Sequence, residues 1–318
     1  MTDIMPDRPK ASPVSLALVA YPGAQMSAVL GLADLFSVAS GYGRAAGLPG
    51  IGTDIVDFDR EGNAHNRKFD AVVLPPNLSG ARGAGDLALH AFLSRQHAAG
   101  AILCSVCAGA FWLGHAGLLD GRPATTHWAL EEELKRTFPR VRLEPERILV
   151  DDHDIVTAGG VMAWLDLGLF LVGRWLGADV VTSTARHLLI DPRGREQKNY
   201  RSFRPTLGHG DRAILTLQHW MEANPETDLT VEALAARAGM PLRTFTRRFK
   251  AATGLPPNLY VQNLRVEKAR GMLERGRGSV AEIAWAVGYG DVSAFSKVFR
   301  STTGLSASAY RKRFGVVL

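Results

Sequence analysis

Cysteine is almost missing from this chain. Cys104 and Cys107 are the two in 318 residues. That scarcity excludes a disulfide framework. Long apolar runs are missing too, and none reaches the roughly 18 residues a membrane helix needs. Residues 1–12 carry Asp3, Asp7, Arg8 and Lys10 and lack the hydrophobic centre of a signal peptide. They are expected to be a disordered start in a cytoplasmic protein. Metal-ligand spacing is also lacking. Asp151, Asp152, His153 and Asp154 are consecutive, and neighbours in one turn rarely converge on an ion. They read as a solvated turn, and neither metal nor cofactor is expected.

Excess charge is missing from most of the chain. Residues 1–210 hold 21 Lys and Arg against 22 Asp and Glu, whereas residues 211–318 hold 16 against 9. A basic module joined to a neutral one is the electrostatic footprint of nucleic-acid binding.

The basic part is written twice. Leu234-Ala235-Ala236-Arg237-Ala238-Gly239, Phe245 to Phe249, Gly254-Leu255 and Tyr260 recur as Ile283-Ala284-Trp285-Ala286-Val287-Gly288, Phe295 to Phe299, Gly304-Leu305 and Tyr310. The offset is 49 residues up to the first glycine and 50 after it, so two units of one kind stand in tandem. Each reads as helix, turn, helix, over about residues 230–252 and 279–302. Ser279 and Glu282 have capping-box spacing. If Phe245, Phe249, Phe295 and Phe299 point inward, then Arg243, Thr244, Thr246, Arg247, Ser293, Ser296 and Lys297 point outward. Short hydroxyls and forked or long cations suit base edges and phosphates in a DNA major groove. Arg265 and the tail Arg311-Lys312-Arg313 are phosphate candidates. A helix beginning after Pro256-Pro257 can join the two units rigidly, so one chain could address two groove segments about 34 Å apart.

With the doubled motif, Val280-Ala281-Glu282-Ile283-Ala284, Val287-Gly288-Tyr289 and Phe295-Ser296-Lys297-Val298-Phe299-Arg300 in view, residues 211–318 resemble the DNA-binding domain of AraC-family transcription regulators. The resemblance implies double-stranded promoter DNA as partner, and activation, with RNA polymerase as a further partner, as the commoner habit.

Residues 13–190 alternate strands and helices. Continuous apolar runs at 14–20, 69–74 and 101–106 read as strands buried on both faces. A residue-53–58 strand and helices at 26–39, 86–99, 108–116, 128–138, 161–176 and 178–189 complete an α/β domain, a parallel sheet with helices on both faces. Residues 41–52 read as a loop, 148–157 as a hairpin and 191–210 as a linker. The all-α part begins at Asp211, a helix cap.

Cys107 stands where the strand at 101–106 meets a helix, followed by Ala108-Gly109-Ala110. That is the layout of a nucleophile elbow, and His127 twenty residues on could pair with it for acyl transfer. Cys107 reads equally as a residue lining a pocket or as a buried structural cysteine. Gly159-Gly160 could offer N–H groups to an anion, or be a tight turn. Trp112, Trp128 and Trp164 could form a cation cage, though core packing is the default.

Tyr21-Pro22-Gly23, Cys107 to Ala110, Gly117 to Gly121, Ala124-Thr125-Thr126-His127-Trp128 and Thr157 to Gly160 resemble the class I glutamine amidotransferase-like, or PfpI-type, domain. The resemblance implies a ligand-sensing domain for a small nitrogenous metabolite, with Cys107, Ala108, His127, Trp128, Gly159 and Gly160 at the site, and a homodimer. One departure bears on chemistry. Ala28 stands where such domains carry an acidic residue, so Cys107 and His127 are degenerate candidates and no enzyme is expected. The alternatives are a PfpI-type cysteine hydrolase or hydratase, and a redox sensor acting through Cys107.

Overall fold

The computed structural model describes residues 12–58, 67–80, 82–192, 195–276 and 278–316. The disordered start expected at 1–12 therefore lies, apart from Ser12, outside the described residues. The chain forms two compact units that divide between Gln197 and Lys198.

In the first unit, β1 (Val14–Ala20) is followed by α1 (Met26–Ala45), β2 (Ile51–Asp57), β3 (Ala71–Leu74), α2 (Leu87–Ala98) and β4 (Ile102–Val106). Then come α3 (Ala110–His115), β5 (Pro123–Ala124), α4 (Glu131–Thr137), β6 (Arg142–Leu143), β7 (Leu149–Asp152), β8 (Ile155–Ala158), α5 (Trp164–Leu176) and α6 (Ala178–Leu188). Six strands make one sheet in the order β2-β1-β3-β4-β8-β7. All neighbours are parallel except β7 and β8, which form an antiparallel hairpin.

The continuous apolar strands are explained by two cores. Leu16, Leu18, Val73, Cys104, Val106 and Val156 pack on one face against α1, α5 and α6. Ala17, Val19, Val72, Leu103 and Ile155 pack on the other against α2, α3 and Leu134 of α4. A strand covered on both sides needs no polar alternation. Two details differ from the sequence reading. The loop expected at 41–52 begins after Ala45, because Gly43 is buried in the helix: a Cβ there would lie 3.3 Å from Leu176 of α5. Close helix packing overrides its weak helix propensity. The two-residue strands β5 and β6 form a separate parallel pair, too short for any periodicity to betray.

The second unit is helical: α7 (Arg212–Ala223), α8 (Val231–Arg237), α9 (Leu242–Thr253), α10 (Pro257–Arg275), α11 (Val280–Ala286), α12 (Val292–Thr303) and α13 (Ala307–Phe314). Asp211 caps α7 by accepting from the Ile214 N–H at 3.2 Å. Ser279 and Glu282 complete a reciprocal capping box on α11. Two hydrophobic cores lie side by side. The long helix α10 gives Tyr260, Val261 and Leu264 to the first and Val266, Ala269 and Leu273 to the second. Pro257 sits at the start of α10, where its missing N–H costs nothing. Among the described residues no helix is long and apolar enough to cross a membrane.

Candidate functional site

The two repeats fold onto one geometry. Phe245 and Phe249 are 5.4 Å apart, and Phe295 and Phe299 are 5.5 Å apart. Phe249 meets the Tyr260 ring edge-on at 5.1 Å, and Phe299 meets Tyr310 edge-on at 5.5 Å. Thr253 and Thr303 each donate to the phenylalanine carbonyl four residues back, at 2.8 Å. Gly254 and Gly304 end α9 and α12 with φ of +77° and +76°, a conformation that favours glycine. All four phenylalanines are fully buried.

Burying the phenylalanines turns the opposite face outward. Arg243, Thr246, Arg247 and Lys250 on α9 are exposed, and Thr244 is half-buried. Ser293, Ser296, Lys297 and Arg300 on α12 are exposed. Thr246 donates its hydroxyl to the Leu242 carbonyl at 2.9 Å, and Ser296 donates to Val292 at 2.8 Å. Both hydroxyls thus keep acceptor lone pairs for an incoming donor, such as the amino group of cytosine or adenine.

Some cations have other duties. Arg265, expected as a phosphate contact, is half-buried. Its guanidinium donates to the carbonyls of Pro225 and Thr227, both at 3.0 Å, and lies over the Tyr289 ring. Burial lowers its pKa from the ordinary arginine value. It braces the loop before α8 and is removed from the phosphate candidates. Arg311 donates to Gly278 O at 2.5 Å, and Arg313 to the Tyr200 hydroxyl at 3.0 Å, while Lys312 is exposed.

In the first unit the elbow is real. Cys107 follows β4 directly, has φ +55° and opens the single helical turn that leads into α3. Positive φ is uncommon outside glycine and marks strain held by the surrounding fold. The thiol is buried, and burial pushes its pKa up to about 11, against the opposing pull of the Ala108 N–H, Arg82 and the His127 N–H. The strained turn therefore presents a protonated thiol at neutral pH, not a thiolate. His127 supplies its backbone N–H to the sulfur, and its ring Nδ1 accepts from the Ala129 N–H at 3.1 Å. Ala28 is fully buried in the same core as Cys107 and brings no carboxylate to it. Thr126 donates its hydroxyl to the Cys107 carbonyl at 2.8 Å, tying the 124–128 loop to the elbow.

The other candidates separate. Gly159 does not offer its N–H to an anion, because it donates to Ile148 O at 2.8 Å. Its lack of a Cβ serves a neighbour instead: a Cβ there would lie 1.9 Å from Gln197 Nε2. Gly160 has φ +91° and turns the chain toward α5. Trp112 packs in the core on one face of the sheet and Trp164 in the core on the other, so the two cannot share one cage. Trp128 is half-buried beside the His127 ring, 5.2 Å away. The acidic turn between β7 and β8 is an ion-pair cluster more than a solvated turn. Arg122 bridges Asp152 and Asp154, and His97 Nε2 lies 2.6 Å from Asp154. Among the described residues no group of three or more His, Cys, Asp or Glu could hold a metal ion.

Sequence reasoning missed Gln197. Its side chain is buried, and the two N–H groups of its amide are shared among three acceptors. Nε2 donates to Thr125 Oγ1 at 3.0 Å, Thr126 O at 2.7 Å and Arg147 O at 3.0 Å, and Oε1 accepts from the Trp128 N–H at 2.9 Å. A glutamine in a polar stretch carries no periodic signal, so only the fold reveals it.

Comparison with known proteins agrees with both halves. Residues 234–313 match the helix-turn-helix domain model and residues 52–173 the DJ-1/PfpI family model. The chain is 28% identical to the HTH-type transcriptional regulator GlxA of Rhizobium meliloti over 287 residues, which is 89% of this chain and 86% of that protein. It is 30% identical to the HTH-type transcriptional regulator ArgR of Pseudomonas aeruginosa over 69% of this chain and 67% of that protein. Its match to the HTH-type transcriptional regulator GbdR of the same species, 29% identical, takes in 67% of this chain but spans only 58% of that relative's length. The chain belongs to the AraC family of helix-turn-helix transcription regulators, in the group whose N-terminal unit has the DJ-1/PfpI fold.

Proposed function

We propose that the protein is a sequence-specific DNA-binding transcription regulator controlled by a small nitrogenous metabolite at the elbow of its first unit. The observation that carries the reading is the paired outward face of α9 and α12. Equivalent positions hold Arg243 and Ser293, Thr246 and Ser296, and Arg247 and Lys297, all exposed and backed by a matching set of two phenylalanines and a tyrosine. With Thr244 they are the base-contact set. Lys312 and Lys250 serve phosphates. The metabolite is held near Cys107, Ala108, His127, Trp128 and Gly160, with Gly159 acting through its neighbour. The protein works in the cytoplasm as a homodimer and activates transcription by recruiting RNA polymerase, the habit of its family.

The elbow is a binding site without turnover. A buried, protonated Cys107, with Ala28 instead of an acidic residue in the same core, favours this over a hydrolase, since the nucleophile needs a thiolate and a supporting carboxylate. The same protonated thiol disfavours a peroxide sensor.

Two experiments test the proposal on the full chain. Selection from a random duplex pool should enrich one sequence. Melting should then be followed against amino acids, betaines and quaternary amines, because a ligand of the folded state raises Tm by mass action. No enriched duplex would contradict the DNA reading. Hydrolysis of an amide substrate that disappears in Cys107→Ser would restore the enzyme.

A further inference from the structure

The residues on either side of the Gln197–Lys198 peptide bond are each bonded into their own unit. On one side, Arg195 pairs with Asp166 and donates to Met162 O at 3.0 Å. Glu196 Oε2 accepts from the Ile148 N–H at 3.0 Å, and Gln197 fills its socket under the 125–128 loop. On the other side, Arg270 of α10, itself buried, donates to the carbonyls of Lys198, at 3.2 Å, and Arg201. Asn199 is buried and donates to Thr303 O, the last carbonyl of α12, at 2.8 Å. The Phe203 N–H donates to Glu267 at 3.0 Å, and its ring lies edge-on to Tyr260 at 5.1 Å. Each set of bonds is internal to one unit. The stretch expected as a linker is thus structured on both sides of the division.

The repeats show that the second set is special. Nothing lies within 4 Å of a Cβ built at Gly254, but at the equivalent Gly304 it would lie 2.5 Å from Lys198 and 2.8 Å from Asn199. The end of α12 is occupied by this segment, while the end of α9 is open.

We infer that residues 195–203 are a tether, anchored at both ends, that reports the state of the Cys107 site to helix α12, with Gln197 as the sensing residue and Asn199 as the positioning residue. This rests on the reading that the elbow takes the effector. The path is contiguous: Cys107 O to Thr126 Oγ1, Thr126 O to Gln197 Nε2, two peptide bonds through Lys198, then Asn199 Nδ2 to Thr303 O. A ligand that moves the 126–128 loop changes the fit of Gln197, and the next two residues hold the end of α12. The coupling element is the socket, which has an engaged and a released state.

Hydrogen exchange on the full chain tests it, comparing wild type with Gln197→Ala. Exchange at residues 125–128 should rise roughly fivefold or more, and so should exchange at 300–305, although the substitution lies in the other unit. Two glycines inserted between Gln197 and Lys198 add about 7 Å of chain. In that background Gln197→Ala should still raise exchange at 125–128 but leave 300–305 unchanged. Should Gln197→Ala fail to fold, Gln197→Glu makes the same comparison, because it sets a carboxylate against two carbonyl oxygens. A rise at 125–128 with no change at 300–305 in the uninserted chain overturns the tether. Failure of the effector reading is seen separately, as no rise in Tm with any compound of the amine panel, and leaves the exchange result standing.

Discussion

Arg248 grips Asp211 with two bonds, Nε to Oδ2 at 3.0 Å and Nη2 to Oδ1 at 2.9 Å, while the adjacent Arg247 faces outward. One arginine fixes the start of α7 against α9, and its neighbour is left exposed. Arg247→Ala should weaken binding to the selected duplex by about 1–3 kcal/mol and leave melting unchanged. Arg248→Ala should lower stability by at most about 1 kcal/mol, since the pair is partly exposed, and keep the sequence preference. Titrations against selected and scrambled duplexes, with melting curves for each variant, separate the two.

The same pair sets an acid response. The Arg248 guanidinium, ahead of the backbone N–H groups of α7, holds the Asp211 carboxyl below its ordinary range. A depressed folded pKa stabilises above the unfolded value, near 3.9, and that contribution is lost as pH falls. The stability of Arg248→Ala should therefore decline less than wild type between about pH 5 and 3, as read from denaturant midpoints.

Cysteine sets the alkaline response. Burial pushes Cys107 up to about 11 and Cys104 up to about 12. Unfolded thiols ionise near 8.5, so the unfolded state loses protons first and stability falls as pH rises from there toward 11. Cys107→Ser should flatten part of that fall. Iodoacetamide should label native Cys107 slowly at pH 7.5. Labelling at the rate of a free thiol would contradict the protonated elbow.

Gly159 and Gln197 should behave as one unit. Gly159→Ala places a Cβ against the Gln197 amide and should cost about 1–3 kcal/mol by overpacking. Adding Gln197→Ala should recover part of that loss, because the closest clash leaves with the side chain, whereas Thr126 O, 2.7 Å from the new Cβ, stays. Strict additivity in the double-mutant cycle would show that the two do not interact.

The repeat predicts matched sensitivity. Phe249→Ala and Phe299→Ala each empty a fully buried aromatic site and should each cost about 3–5 kcal/mol. Calorimetry should show similar losses for the two. A large difference would mean that the two cores do not share their construction.

What could be read from the sequence was whatever repeats or alternates. The doubled phenylalanine spacing marked both recognition helices, and the unbroken apolar runs marked β1, β3 and β4 as doubly covered strands. What could not be read depends on distant partners. Gly43 looked like a loop residue until Leu176 explained it. Arg265 looked like a phosphate ligand until the Pro225 and Thr227 carbonyls claimed it. Gly159 looked like an anion site, but its N–H belongs to Ile148 and its open side to Gln197. Spacing along the chain fixes which face a side chain takes on its own helix, not which atoms meet it there.

With equivalent faces on α9 and α12, one chain should read DNA with both helices. Hydroxyl-radical footprinting on the selected duplex, with wild type and Lys297→Ala, tests it most directly. Wild type should protect two segments about one helical turn apart in each half-site, and Lys297→Ala should lose one of each pair while keeping the other. A single protected segment that weakens uniformly in the variant would contradict the account.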